Sequence, residues 1–319
     1  TDSPFDDPAG FVFGESGSEN VIKTGSYVGD GNGGSSQGVA NSQEIFLGWE
    51  PQWILIKRTS AVEGWVLYDS MRGIVSSNAD ADARLEVNNS DAEASVNHIE
   101  LTSTGFTFTT NNNTVNASGN DYIYLAIRRP DGYVGKPAEL GTDVFAMDTG
   151  NSSSTIPAFD SGFPMDFATW RTPAAQGNWN TTARLIGNHV LSANLTAAEQ
   201  DESDGQTDFD SNLGFGAGGG FQTSSSQAWM WKRHAGFDVV TYKGNSNAGG
   251  VFQTINHNLG KTPEMIWIKN RTEARDWTVG HKGLDGGTNP WQHYIVLNST
   301  SDENGSLSGG VNVFWGNGS

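Results

Sequence analysis

Short runs of hydrophobic residues alternate with turn-forming residues along most of this chain. Four of the runs read WILIK, MIWIK, YIYLAI and GFTFTT. Each combines β-branched and aromatic residues over a length typical of one strand, and Gly, Pro, Asn and Asp bound them. The pattern predicts many short β-strands joined by tight turns.

Two of the predicted strands lie in a block that the chain repeats. LGWEPQWILIK at 47–57 aligns without a gap with LGKTPEMIWIK at 259–269, and the same offset of 212 residues pairs Trp65 with Trp277. A divergent middle copy has SGFPMDFATWR at 161–171 and Trp179 in the corresponding places. Three copies of about 105 residues are therefore the simplest organisation.

These copies divide the chain into a linker and three units. We predict a linker over 1–20, unit one over 21–136, a divergent unit two over 137–236 and unit three over 237–319. Unit one closes with YIYLAIRRP and unit two with WMWKRHAG, whereas unit three has no match to this closing strand, which predicts an incomplete third unit. Units of this length favour tandem β-sandwiches in an all-β fold over the shorter repeats of solenoids or propellers.

A nine-residue motif, [LI]-x-x-N-x-[ST]-x-x-E, occurs once in each copy, at 85–93, 191–199 and 295–303. Its hydroxyl residue and its glutamate have the spacing of a capping box, which predicts that a strand runs into one short helical turn. The asparagine can bond local backbone or adopt a positive φ. Because the motif recurs in register, we interpret it as structural; its residues are Asn88, Ser90, Glu93, Asn194, Thr196, Glu199, Asn298, Thr300 and Glu303.

Composition and charge restrict the partners of the chain. Its 16 Phe, 11 Trp and 7 Tyr are enough for a substantial core. A formal net charge of −18 opposes nonspecific attraction to nucleic acid or to anionic membranes. The sequence contains no run of about 18 apolar residues, so it does not predict a membrane-spanning helix. The absence of Cys excludes disulfides and thiolate metal sites.

Acidic residues raise two questions about chemistry. One motif glutamate per unit does not by itself build the pair of carboxyl groups that a glycosidase needs. The stretch 201–212 is rich in carboxylates, which Ca²⁺ prefers, but Asp208, Asp210 and Asn212 put Gly214 one place late for an EF-hand. A solvated acidic loop and a loop that binds Ca²⁺ both stay open, and no other cofactor is predicted.

Tryptophan offers a second kind of candidate site, because its ring can stack on sugars. Six residues come into consideration: Trp49, Trp65, Trp229, Trp231, Trp291 and Trp315. Trp65 recurs in register with Trp277, which favours packing. Trp49 and Trp291 lie in loops that contain Gly or Pro, so we predict that these two are exposed and are the better candidates for binding a ligand.

Several blocks together carry a resemblance to a known group of proteins. TDSPFDDP at the start, the PQWILIKRT and GWVLYD block, LEVNNSDAE and NASGNDYIYLAIRRP resemble a repeated domain of tail-associated and fibre proteins of bacteriophages, especially marine ones. The likeness is strongest in unit one, good in unit three and weak in unit two. It implies concanavalin A-like or jelly-roll-type β-sandwiches in a virion structural or host-binding protein, and no enzyme motif comes with it.

The resemblance and the composition lead to one expected function and three alternatives. We expect a non-enzymatic phage tail fibre or tail-associated adhesin in the virion, which binds a host surface glycan or protein. We also expect contacts with other virion proteins and a homo-oligomer, a trimer, because a fibre without disulfides needs another source of rigidity. The alternatives are a purely structural tail or capsid component, a bacterial extracellular adhesin or filament protein, and, less favoured, a polysaccharide depolymerase.

Overall fold

The structure is a computed structural model, and it describes residues 22–33, 42–74, 82–128, 140–151, 157–202, 207–216, 225–244, 253–257, 259 and 261–304. The predicted linker, the junction at 129–139 and the chain beyond 304 lie outside these ranges. The described residues form antiparallel sheets with four short 3-10 helices, so the predicted all-β fold is confirmed. No helix within these ranges is long and apolar enough to cross a membrane.

Unit one is a sandwich of two antiparallel sheets. Its strands are β1 (Ile22–Val28), β2 (Glu44–Phe46), β3 (Pro51–Arg58), β4 (Trp65–Asp69), β5 (Asp82–Glu86), β6 (Ala94–Val96), β7 (Ile99–Thr102), β8 (Gly105–Phe108) and β9 (Asp121–Arg128). The large sheet has the order β1-β9-β3-β4-β5-β6 and the small sheet the order β2-β8-β7. One core lies between the sheets, since inward residues such as Ile54, Tyr68, Phe106 and Tyr122 are fully buried together.

Unit two repeats this strand order despite its divergent sequence. Its strands are β10 (Phe145–Thr149), β11 (Phe159–Asp160), β12 (Phe167–Arg171), β13 (Asn180–Ala183), β14 (His189–Ser192), β15 (Gln200–Asp201), β16 (Gly214–Phe215) and β17 (Gln227–Trp231). The large sheet is β10-β17-β12-β13-β14-β15, and β11 pairs with β16 opposite it. Its 3-10 helices are Gly141–Asp143 and Arg184–Ile186.

Two glycine positions show why the same fold survives this divergence. A side chain on Gly105 would strike the carbonyl oxygen of Ile45 on the neighbouring strand, and one on Gly214 would strike that of Phe159. The close approach of the strands therefore requires glycine in both units. In the sequence, GFGAGGGF at 214–221 resembles only a glycine-rich turn. In the structure, its first two residues form β16, the equivalent of β8.

Unit three contributes a smaller described sheet that packs on unit two. Its strands β18 (Met265–Ile268), β19 (Thr278–His281) and β20 (Ile295–Val296) form an antiparallel sheet in that order, and its 3-10 helices are Leu284–Gly287 and Pro290–Gln292. Trp277 lies against Leu191 and donates its indole N–H to the carbonyl oxygen of Ser192 at 2.9 Å. Arg271 Nε contacts Glu199 Oε2 at 2.6 Å beside this apolar contact.

A buried ion pair joins units one and two. Arg233 donates two hydrogen bonds to the carboxylate of Glu50, at 2.5 and 2.6 Å, and its backbone N–H donates to Asp166 Oδ2 at 2.7 Å. Burial opposes the charge on Arg233, but attraction to Glu50 and Asp166 outweighs it and raises the Arg233 pKa. Leu185 of unit two joins the core of unit one nearby, so apolar packing and charge pairing support the same junction.

The asparagine of the repeated motif has one role in all three units. Its side-chain oxygen accepts the backbone N–H of the tryptophan that precedes or begins the neighbouring strand. The three pairs are Asn88 with Trp65 at 2.6 Å, Asn194 with Trp179 at 2.8 Å and Asn298 with Trp277 at 2.8 Å. The motif asparagine therefore fixes the entry of this strand into the sheet, a longer-range bond than the local one predicted.

The predicted helical turn after this asparagine is wrong. Turns and extended chain follow the strand in each unit, and none of Ser90, Thr196 or Thr300 begins a helix. The glutamates have partners on other segments instead: Glu93 accepts from Arg72 at 2.8 Å, Glu199 pairs with Arg271, and Glu303 accepts the backbone N–H of Asp285. The capping box was predicted from spacing alone, but in the structure the glutamate carboxylates accept hydrogen bonds from donors on other segments.

His98 is a buried titratable group in the core of unit one. Its ring Nδ1 lies 2.8 Å from the hydroxyl of Tyr68, and its backbone N–H donates to the buried carboxylate of Asp82 at 2.9 Å. Burial, with a smaller contribution from the nearby charge of Arg84, lowers the pKa of His98 to about 4. The folded chain therefore keeps this imidazole neutral well below the pH at which an exposed histidine binds a proton.

We expect Asn88→Ala to lower the free energy of unfolding by about 1 kcal/mol, because the Trp65 N–H loses its acceptor. Asn88→Asp is the matched control, since it keeps an oxygen at the same place and should cost clearly less. Chemical denaturation of the three proteins measures both changes. Equal losses for the two variants would contradict the role assigned to the side-chain oxygen.

The pKa of His98 predicts a pH dependence of stability. Between pH 6.5 and about 4 the unfolded chain binds a proton that the folded chain does not, so the unfolding free energy should fall as the pH falls through this window. The contribution is about 3 kcal/mol in total. His98→Asn keeps a partner for Tyr68 but does not titrate, so the wild type should lose this much more stability than the variant between pH 7 and 4. Parallel pH profiles of the two proteins would contradict the assignment.

Candidate functional site

The outer face of the large sheet of unit two carries aromatic side chains. Trp231 on β17 lies between Phe145 on β10 and Phe167 on β12 in the strand register. Alternate residues of a strand face opposite sides, so Ala228 and Met230, which are fully buried, point inward while Trp229 and Trp231 point outward. Unlike the core residues, both tryptophans remain half-buried.

These rings pack into one group around Trp231. The ring centroids of Phe145 and Phe167 lie 5.1 and 5.6 Å from that of Trp231. Phe237, just after the tight turn at His234, lies 6.2 Å from Trp231 with the two rings 25° from parallel. Aromatic neighbours at these distances hold one another in place, so the Trp231 ring is rigidly presented.

Beside this group the surface forms an open hollow of about 630 Å³. Its lining residues are mainly apolar and aromatic, with few polar side chains: Leu140, Gly141, Thr142, Val144, Phe145, Trp231, His234, Gly236 and Phe237. This volume and this mixture of surfaces are typical of a site for a small molecule or a single residue of a polymer. We call these residues the aromatic hollow.

His234 supplies a directed polar group at the hollow. The backbone N–H of Gly236 donates to His234 Nδ1 at 3.0 Å, and the backbones of His234 and Phe237 exchange hydrogen bonds across the turn. Burial lowers the pKa of His234, and Lys232 adds to the effect. The neutral ring with Nδ1 as acceptor carries its proton on Nε2, where it can donate to a ligand hydroxyl.

A second group of rings continues the same face along β17. Trp229 lies two residues from Trp231, about 7 Å along the strand. Its ring packs against Trp179 at 5.2 Å, and the guanidinium of Arg171 lies 5.1 Å from the centre of the Trp179 ring. Met147, 63% exposed, is directly opposite Trp229 on β10. The aromatic hollow and this second group together form an aromatic strip.

The strip has the chemistry of a binding site for sugar rings. A pyranose presents an apolar C–H face that stacks on an aromatic ring, and its hydroxyl edges need a few hydrogen-bond partners, which Thr142 and His234 offer. None of the described residues that line the hollow carries a carboxyl group.

The two tryptophans favoured by the sequence are not part of this site. The prediction that Trp49 is exposed is wrong: the ring is only 2% exposed and belongs to the core of unit one. Gly48, at a φ of +88°, turns the chain so that Trp49 enters the core, and Gly162, at +74°, does the same for Phe163 in unit two. Trp291 is half-buried in the 3-10 helix Pro290–Gln292 and does not line the hollow.

Trp229 and Trp231 were among the six tryptophans considered, and their alternation in WMW is the signal that could have distinguished them. Two large aromatic residues at i and i+2 on a strand must share a face. Ala228, Met230 and Lys232 alternate with the two tryptophans on the opposite face, so the sequence shows that the rings share a face, and the structure shows that this face is the outward one. The closing strand of unit one, by comparison, places Tyr122 and Tyr124 inward.

Asp208 and Asp210 lie in the loop before β16. Asp208 Oδ1 accepts the backbone N–H of Asp210 at 2.8 Å, an arrangement that shapes the loop. Burial raises the pKa of Asp210, and the neighbouring carboxylates of Asp208 and Glu93 add to it. Among the described residues, no group of three or more acidic or histidine side chains is placed to hold a metal ion, and Ca²⁺ binding at this loop stays a prediction.

The sequence of the chain matches one known protein family. A model of the family described as Domain of unknown function (DUF7483) matches residues 11–129 and 144–313. The chain belongs to this family. The first match covers unit one, and the second runs through units two and three. No curated protein sequence and no solved structure matches the chain.

Proposed function

We propose that this DUF7483 chain is a non-enzymatic tail-fibre or tail-associated adhesin of a bacteriophage, located in the virion, which binds neutral glycans of the host surface. The aromatic strip of unit two carries the proposal, because it combines rigid, partly exposed rings with a few hydrogen-bond donors. The sequence blocks that resemble phage tail domains support the virion location. Contacts with other virion proteins and homo-oligomerisation are parts of the same proposal.

The charge of the chain narrows the class of glycan. A net charge of −18 repels polyanions such as acidic capsules and phosphorylated core sugars over distances of about a Debye length. Stacking on Trp231 does not require a charged ligand. Neutral hexose-containing polymers are therefore the expected ligands, and many weak contacts from an array of chains would supply the affinity.

A purely structural tail or capsid component is the second candidate function. The outer face of the large sheet of unit one favours it, since exposed apolar residues such as Ile22, at 58%, and Ile123, at 40%, lie there on neighbouring strands. A surface of this kind suits a protein neighbour better than a sugar. The two functions are compatible in one chain, because the faces belong to different units.

Binding of the purified chain to immobilised neutral polysaccharides and to whole host cells tests the proposal. Trp231→Ala should weaken binding by tenfold or more, because it removes the stacking surface, worth roughly 1.5–3 kcal/mol for a buried aromatic group. Trp229→Ala should weaken it less. Trp267→Ala is the matched control: this tryptophan of unit three is 45% exposed but lies off the strip, and its loss should leave binding unchanged.

Three results would oppose the proposal. Absence of binding to every neutral glycan and every susceptible strain would remove the adhesin function and leave the structural one. Equal binding by wild type and Trp231→Ala would remove the strip as the site. If size-exclusion chromatography shows that the polysaccharide becomes shorter during incubation with the chain, the protein is a depolymerase.

A further inference from the structure

The outer face of the large sheet of unit one is mainly apolar across its central strands. One rung of side chains crosses four adjacent strands as Leu125, Leu55, Leu67 and Leu85. The neighbouring rungs add further apolar residues on the same face: Ile22, Trp53, Trp65, Ile123 and Ile127. We call these nine residues the leucine face. A sandwich whose outer face meets only water typically has polar residues there.

Exposure shows that the described residues do not fully cover this face. Ile22, Ile123 and Trp65 are 58%, 40% and 38% exposed, and Val87, just beyond β5, is 61% exposed. Large contiguous apolar surfaces of this kind usually mark a contact with another protein.

The equivalent faces of the other two units show what such a face binds. Trp277 occupies in unit three the position of Trp65 in unit one, since each donates its backbone N–H to the motif asparagine. Trp277 is only 5% exposed, and Val279 on the same side of β19 is fully buried. Both faces of this contact are outer sheet faces: Trp277 and Leu297 from unit three, and Phe167 and Leu191 from unit two.

Unit one has an equivalent for each residue of unit two that Trp277 contacts. The indole N–H of Trp277 binds the carbonyl oxygen of Ser192, which also accepts the backbone N–H of Leu195. In unit one the corresponding carbonyl is that of Glu86, which accepts the backbone N–H of Asn89 in the same way. Leu85 stands next to it as Leu191 stands next to Ser192.

We propose that the leucine face binds the leucine face of a second copy of this chain, with Trp65 of each copy packed against Leu85 of the other. Units two and three pair outer face with outer face, and among the described residues the leucine face has no such counterpart. A second copy offers the same surface, and a two-fold axis lets each copy give and receive the same contact.

Charges at the two ends of the face suit this symmetry. Lys57 is the cross-strand neighbour of Trp65 on one side of the leucine rung, and Asp69 is that of Trp53 on the other. A two-fold axis through the rung of Leu55 and Leu67 exchanges the two ends, so each lysine approaches the aspartate side of the other copy. Opposite charges brought together in this way favour the correct register.

The number of chains distinguishes this pairing from the trimer expected from the sequence. Light scattering on the full chain should give twice the mass of 34.1 kDa for one chain. Leu67→Glu puts a charge in the middle of the leucine face, on a side chain that points away from the core of unit one. The variant protein should therefore have the mass of a single chain and an unchanged circular dichroism spectrum. Val62→Glu is the matched control, because Val62 is 98% exposed at the tip of the β3–β4 hairpin and off the face; this variant should remain a dimer.

A single cysteine gives a second test that does not depend on the folding of Leu67→Glu. The chain has no cysteine of its own, so Leu67→Cys, near the proposed axis, should form a disulfide-linked dimer under mild oxidation. Val62→Cys should form far less. A wild-type monomer or trimer, a dimer that persists in Leu67→Glu, or failure of Leu67→Cys to cross-link faster than Val62→Cys would each overturn the proposal.

Discussion

The buried guanidinium of Arg233 is the interaction on which the arrangement of this chain most depends. It binds Glu50 of unit one through two hydrogen bonds, while its backbone binds Asp166 of unit two. Breaking a buried pair of this kind typically costs about 3–5 kcal/mol, because the remaining charge has no partner. The same residues set the aromatic strip: Asp166 donates its backbone N–H to the carbonyl oxygen of Trp231, two residues before Arg233. One network therefore holds the junction of the units and the end of the strand that presents Trp231.

Apolar contacts at the junctions join the tandem units to one another. Leu185 of unit two enters the core of unit one, Trp277 of unit three lies on the sheet of unit two, and Val239 contacts both apolar clusters. Burial raises the pKa of Glu100 in unit one, and Arg271 and Lys243 of unit three offset part of this effect. Such contacts give a chain without disulfides a fixed geometry, which is what a weak, repeated binding site needs to act in parallel with its neighbours.

Sequence reasoning was strongest where the pattern is local. The predicted strands WILIK, MIWIK, YIYLAI and GFTFTT all lie in or largely overlap strands of the structure, because alternation of large apolar residues is itself the requirement for a sandwich core. It failed where the deciding partner comes from a distant segment. Asn88 and Trp65 are 23 residues apart, and nothing near the motif indicates their bond. Trp49 looked exposed because a Gly/Pro-containing loop surrounds it, but Gly48 directs its ring into the core.

Differential scanning calorimetry of the intact chain tests most directly whether the Arg233 network and the shared apolar clusters couple the units in unfolding. If these contacts couple the units, the chain unfolds in a single transition whose calorimetric enthalpy equals the van't Hoff enthalpy. Two or more separable transitions, or a calorimetric enthalpy about twice the van't Hoff value, would show that the sandwiches unfold independently and that these contacts do not couple them.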